Sequence, residues 1–182
     1  MNFNEMGSIH KVLPVKLIVG FIFRIDDVFE KVKAILEKCF GKIDFESQTL
    51  AFTHTDYYEA EFGKDLKRKF ISFKKLIPPQ NLARIKIITN SIEKRFTQNK
   101  NRQVNLDPGY IDSAKLILAS TKDYKHRIYL TQGIYAEVTL FFQNNTFQAW
   151  EWTYPDYKTP EYIEIFNQIR RIYREQITKD ER

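Results

Sequence analysis

The sequence predicts an α+β protein, and three observations carry that prediction. Apolar residues recur at two different periods along the chain, period two or continuous in some segments and three-to-four in others. The two kinds of segment alternate through the first hundred residues. Beyond them, Gly133 and Asn144-Asn145 separate β-rich runs as hairpin turns would.

Val15 to Phe23, VKLIVGFIF, is almost wholly apolar, as a central strand is. Asp26-Asp27 then offers a helix start. Val28, Phe29, Val32, Ile35, Leu36 and Cys39 follow at helical spacing, and Gly41 stands where a C′ glycine belongs. On that stripe Cys39 reads as core filler. A second strand is expected over Phe45 to Phe52 and a third over Phe70 to Ile77, with Ile71 and Phe73 on one face and Phe70 and Ser72 on the other. Pro78-Pro79 stops it. Leu82, Ile85, Ile88, Ile92 and Phe96 predict a second amphipathic helix, and Val104 to Leu106 a short fourth strand. The order β-α-β-β-α-β is that of a ferredoxin-like core, with both helices on one face of a four-stranded sheet.

The remainder reads as an extension. Pro108 and Gly109 suit the central positions of a type II turn over Asp107 to Tyr110, and Asp112 suits the cap of a short helix to about Ser120. His126 to Leu130, Ile134 to Phe142 and Phe147 to Trp152 read as a C-terminal antiparallel meander. Thr159 as N-cap and Pro160 at N1 open a terminal helix with Tyr162, Phe166, Ile169 and Tyr173 as its stripe. The domain reading is a tail over 1–13, one α+β domain over 14–177 (βαββαβ half 14–106, helix-meander-helix extension 107–177) and a tail over 178–182.

Composition bounds function. With 182 residues, 15 Phe and 10 Tyr, a sizeable core can be buried. The net charge of +6 favours anionic partners, nucleic acid included, but the basic residues are scattered rather than blocked. The single cysteine excludes an internal disulfide and a cysteine-based zinc site, and no run is long and apolar enough to span a bilayer. A cytoplasmic protein without membrane attachment is the expectation; homo-oligomerisation and cofactors are left open. The P-loop, the G-x-G-x-x-G fingerprint, H-E-x-x-H, G-x-S-x-G and the RNP1 signature are absent.

Five patches can carry chemistry. His54, Asp56 and Glu59 offer a proton carrier, its orienting carboxylate and N/O ligands for a divalent ion; the same stretch can equally cap a helical turn. Asn105, Asp107 and Tyr110 surround the expected turn. Lys122, His126 and Arg127 put three cationic or proton-carrying groups within six residues, suited to phosphate or carboxylate. Glu137 lies on the half-apolar face of its strand with Tyr135, Thr139 and Phe141, away from Ile134, Ala136, Val138, Leu140 and Phe142, and acts as a general base, faces water or pairs with Arg127. Trp150 to Tyr157, with Asp156, is either a stacking platform for a base or a lid over the terminal helix. The catalytic candidates are therefore His54, Asp56 and Glu137. The ligand-binding candidates are Asn105, Asp107, Tyr110, Lys122, His126, Arg127 and Asp156.

Taken together, HTDYY, the strand LKRKF-I-SF, VNLDPGY, TKDY-x-HRIYL, GIYAEVTL and WTYPDY resemble, in that order, the motifs of a bacterial family of unknown function, family 4416. The resemblance runs from about Pro14 to Tyr173. It implies no reaction and marks the polar loop patches above. On the residues themselves, the best expectation is a small anionic ligand, phosphorylated or nucleotide-like, in a polar cleft with acid–base or metal-assisted chemistry. The alternatives are an RNA-binding or ribosome-associated module and a non-catalytic scaffold or dimer.

Overall fold

The computed structural model describes residues 12–53 and 59–180 of the chain. Strand β1 (Lys16–Phe23) is buried along its whole length and lies at the centre of the sheet. Helix α1 (Asp26–Phe40) follows. Ile25 occupies its N-cap, so Asp26 and Asp27 fall in the first turn, where carboxylates complement the helix dipole rather than cap it. Gly41, at φ 98°, closes the helix by donating its N–H to the Glu37 carbonyl. The stripe continues from Leu36 to Phe40, four residues on, which leaves Cys39 exposed rather than in the core.

The expected second strand is two short ones, β2 (Ile43–Glu46) and β3 (Leu50–Ala51). Ser47 interrupts them, its N–H and Oγ both bonded to the backbone of Phe70. A four-residue helix, α2 (Glu59–Phe62), precedes β4 (Lys67–Phe73). β4 starts earlier than its apolar residues suggest, because Lys67, Arg68 and Lys69 belong to the strand. Helix α3 (Leu82–Arg95) leads through a small hairpin, β5 (Thr97–Gln98) and β6 (Asn101–Arg102), into β7 (Val104–Ile111).

β7 corrects the expected turn at Asp107 to Tyr110. Pro108 and Gly109 sit inside a strand paired along β1. Gly109 is there for proximity: a Cβ would stand 2.3 Å from the Ile117 carbonyl oxygen on β8 (Lys115–Ser120). Pro108, with no N–H to donate, lies where the β7–β8 ladder, which spans Gly109 to Ile111, gives out. β8 in turn replaces the short helix expected before Ser120. Leu116, Ile117, Leu118 and Ala119 are buried on both faces of the strand, and such a run has no period that distinguishes strand from helix. Asp112 caps only a turn, accepting from the N–H groups of Ala114 and Lys115.

The meander is β9 (Arg127–Thr131), β10 (Ile134–Gln143) and β11 (Thr146–Ala149). Its turns carry positive φ at Gln132-Gly133 and Asn144-Asn145, as tight hairpins require. Helix α4 (Pro160–Asp180) ends the fold, with Thr159 Oγ1 accepting from the Tyr162 N–H.

Nine of the described strands form one antiparallel sheet ordered β11-β10-β8-β7-β1-β4-β2, with β3 also on β4 and β9 also on β10, while β5 and β6 pair only with each other. Leu17, Val19, Phe21 and Phe23 face α1 and α3. Ile18, Phe70, Leu116 and Leu140 face Tyr162, Ile165, Phe166 and Ile169 of α4. The sheet is thus covered on both sides, a mixed α+β architecture in three layers. No described helix is long and apolar enough to cross a membrane.

Candidate functional site

The sheet divides at β7. Past Gly109 the β7–β8 ladder stops, although β7 continues back to Val104 and β8 on to Ser120. The backbone of Leu106 is served by side chains of α3 instead: its N–H donates to Glu93 Oε1 at 2.7 Å and its carbonyl accepts from Lys86 Nζ at 2.8 Å. An open ladder leaves backbone groups in need of partners, and at Leu106 these two side chains supply them.

On the α4 side of this gap lie two networks, each built on an arginine. The first centres on Arg68, which is fully buried. Its NH1 donates to Asp107 Oδ2 at 2.9 Å and its NH2 to the Tyr157 hydroxyl at 2.6 Å, with Asp156 Oδ2 at 3.9 Å. The guanidinium carbon lies 4.7 Å from the ring centre of Phe70 and 5.3 Å from that of Tyr157. Gly20 makes room for it, since a Cβ there would come within 3.3 Å of NH2. Asn105 extends the network, donating to Asp107 and accepting from Arg102 NH1, which also reaches Glu93; Arg102 holds Glu61 through Nε and NH2. Burial acts to raise the Asp107 carboxyl, yet the Arg68 charge, then Lys86 and the hydrogen bonds from Arg68 and Asn105, hold it below its ordinary value. Burial raises Glu93 and lifts the Tyr157 phenol well above the usual range, and it pushes Tyr162 up to about 12.

The second network centres on Arg127, at the start of β9. Its Nε donates to Glu137 Oε2 at 2.8 Å, its NH1 to Ser120 Oγ and the Lys122 carbonyl at 2.9 Å each, and its NH2 to the Tyr154 hydroxyl. The same Glu137 oxygen lies 3.1 Å from His126 Nε2. Glu137 is 2 % exposed and Thr139 reaches its other oxygen. Glu137 thus pairs with Arg127, one of the three expectations for it. The His126 ring is held between Tyr124 (centroids 6.1 Å, 4° apart) and Trp152 (5.6 Å, 15°), and Trp152 stacks in turn on Trp150 at 5.1 Å.

β10 explains why these groups share a face. A bulge between Val138 and Leu140 switches the strand's alternation, so Leu140 and Phe142 join Glu137's face instead of opposing it. The turn at Trp150 to Thr153 plugs that bulge: Trp152 Nε1 donates to the Val138 carbonyl and Thr153 Oγ1 to the Thr139 carbonyl. Tyr154 follows directly and joins the second network through its hydroxyl. Its phenol is raised, first by burial, against the pull of the Arg127 charge and with the push of Glu137 and Asp107.

Of the sequence candidates, Asn105, Asp107, His126, Arg127, Glu137 and Asp156 come to this face. Lys122 meets it through its backbone carbonyl. Tyr110 does not: it lies on the opposite face, against the cores under α1 and α3. His54 and Asp56 lie outside the described residues. Arg68, Arg102, Glu61 and Glu93 are participants that sequence reasoning missed, whereas Tyr154 and Tyr157 belong to the Trp150 to Tyr157 patch. For Arg68 a signal existed, since it stands two residues before Phe70 in a strand register and so must point where Phe70 points. Among the described residues no group of three or more His, Cys, Asp and Glu side chains gathers as a metal ion needs.

No curated protein and no solved structure matches the chain. A family model described as a domain of unknown function, DUF4416, matches residues 13–173, a span that takes in every described member of both arginine networks, and the chain belongs to that family.

Proposed function

We propose that the mouth of the β7–β8 division, beside His126, binds a small anionic ligand, phosphorylated or nucleotide-like, and that His126 exchanges a proton with it. The observation that carries this reading is the seating of His126. One ring nitrogen is fixed on a buried carboxylate, which leaves Nδ1 as the exchangeable position of an oriented ring. Glu137 is itself fixed by Arg127 and Thr139, so the ring's orientation is supported from behind. Four N–H contacts of Arg127 are taken within the protein, which gives it a positioning role rather than a direct grip on the anion. The overall positive charge and the exposed Lys125 next to His126 favour an anion at this rim.

The location is cytoplasmic in this reading, and the β7-β1-β4-β2 order with α1 and α3 on one face is read as a ferredoxin-like core enlarged by β8 to β11. The exposed stack of Tyr124, Trp150 and Trp152 favours RNA as the second reading, because unpaired bases stack on such rings.

A melting screen of nucleotides and phosphorylated metabolites tests the first reading. A ligand at one hundred times its Kd adds about 2.7 kcal/mol to stability. The wild type should gain that shift and His126→Ala should not, while melting like the wild type without ligand. A flat response to every anionic compound would sink the reading. Binding of single-stranded RNA that weakens steeply with salt would move the weight to the second.

A further inference from the structure

We propose that two copies of this chain pair through strand β9, antiparallel and across a two-fold axis, to make one continuous sheet. The inference is independent of the ligand reading. It rests on how each exposed stretch of sheet edge is finished.

At one end of the sheet, β2 is four residues long, bulged against β4 between Ile43 and Phe45, and carries Asp44 and Glu46. Shortness, bulging and charge are the usual devices that keep an edge from pairing. At the other end the outer flank of β10 is covered by β9, then the bulge, then β11. β11 is closed from outside, because the Phe147 N–H donates to Asn167 Oδ1 on α4. The bulge carbonyls are closed by Trp152 and Thr153. β3, on the same flank of β4 as β2, is only two residues long. β9 has none of these finishes among the described residues. Ile128 to Thr131 contain no charge, no proline and no glycine. Ile128 is 69 % exposed, Tyr129 58 % and Leu130 39 %, so apolar side chains project on both faces of an open edge.

The occupant follows from charge. Arg127, the one charged residue of β9, is turned onto Glu137 and is 9 % exposed. With Tyr129 on the two-fold axis, Ile128 faces Leu130 of the second copy and Arg127 faces its Thr131. No like charges oppose each other, so the strand is complementary to itself, and a two-fold contact closes at two chains rather than growing into a fibre. Ile128–Leu130 pairs then fill one face, and the Tyr129 rings, each already edge-on to its own Tyr135 at 5.4 Å, meet on the other.

Light-scattering mass over a rising concentration series should climb from one chain towards two. I128K/L130K sets lysines opposite one another and should stay at one chain; I128E/L130E should do the same. Mixing the two variants should restore a two-chain species, which also shows that both are folded. Independently of any variant, amide exchange at Ile128 to Thr131 in the wild type should slow as concentration rises. A one-chain mass at every concentration overturns the proposal. So does a wild-type dimer that persists in both charged variants, or one whose β9 amides stay unprotected.

Discussion

Arg68 and Arg127 are the same residue type put to different ends. Both lie on the α4 side of the sheet, each bonded to a carboxylate and a tyrosine hydroxyl. Arg68 is sealed between β1, β4 and β7 under aromatic rings, and its Nε has no hydrogen-bond partner among the described residues. Arg127 lies at the rim, and the oxygen it holds also holds a histidine that is 17 % exposed. The difference teaches that burial decides the use of a charge. A guanidinium taken wholly out of water locks strands together, whereas one at the edge can orient a group that still meets solvent.

The comparison breaks most sharply at its sealed end. Arg68→Met takes the cation from the half-buried Asp107 and the buried Asp156 and should cost about 3–5 kcal/mol, read from urea unfolding. Arg127→Met should cost less, about 2 kcal/mol, because His126 and Thr139 remain on Glu137. Equal losses in the two variants would erase the distinction between a sealed and a rim guanidinium. Gly109→Ala tests the close approach that begins the division: its Cβ must displace the Ile117 carbonyl, and about 1–3 kcal/mol should be lost.

Acid sharpens the same contrast. The folded Asp107 carboxyl titrates below its ordinary value of 3.8. Its unfolded form therefore takes up protons first as pH falls. Its contribution is present above 3.8 and is lost as pH drops through the lower folded value. Asp107→Asn should remove that part of the acid dependence while lowering stability at neutral pH; an acid limb unchanged in slope would count against the pairing. The smallest effect belongs to the rim. His126→Ala should change stability by no more than about 0.5–1 kcal/mol, measured in the same urea series, and should show itself only in ligand binding.

The elements legible in the sequence were those with a strong local signal. α1 and α3 announce themselves by periodicity, β1 by its unbroken apolar run between polar flanks, and the hairpin turns and the start of α4 by their turn and cap residues. Strand alternation put Glu137 and Arg127 on one face across the Gly133 hairpin, which made their pairing one of three expectations for Glu137. Pro108-Gly109 misled because the two reasons for a glycine, a left-handed turn and a close approach, look identical in one dimension. Leu116 to Ala119 misled because burial on both faces erases the period. Arg68 was hidden by its neighbours: a basic triplet reads as surface until Lys67 and Lys69 alternate away from it.

By itself, the sequence determined which segments are strands and helices wherever one face differs from the other, because that difference is written in neighbouring side chains. The tertiary structure alone decided that β7 and β8 part beyond Gly109, that a bulge at Thr139 turns Leu140 onto the face of Glu137, and that Arg68 lies beneath that face while Arg127 stands at its rim. Those outcomes depend on hydrogen bonds and contacts between residues far apart in the chain, such as Leu106 with Glu93 or Thr139 with Thr153, and no local pattern encodes a bond whose partner is chosen by the packing of the whole.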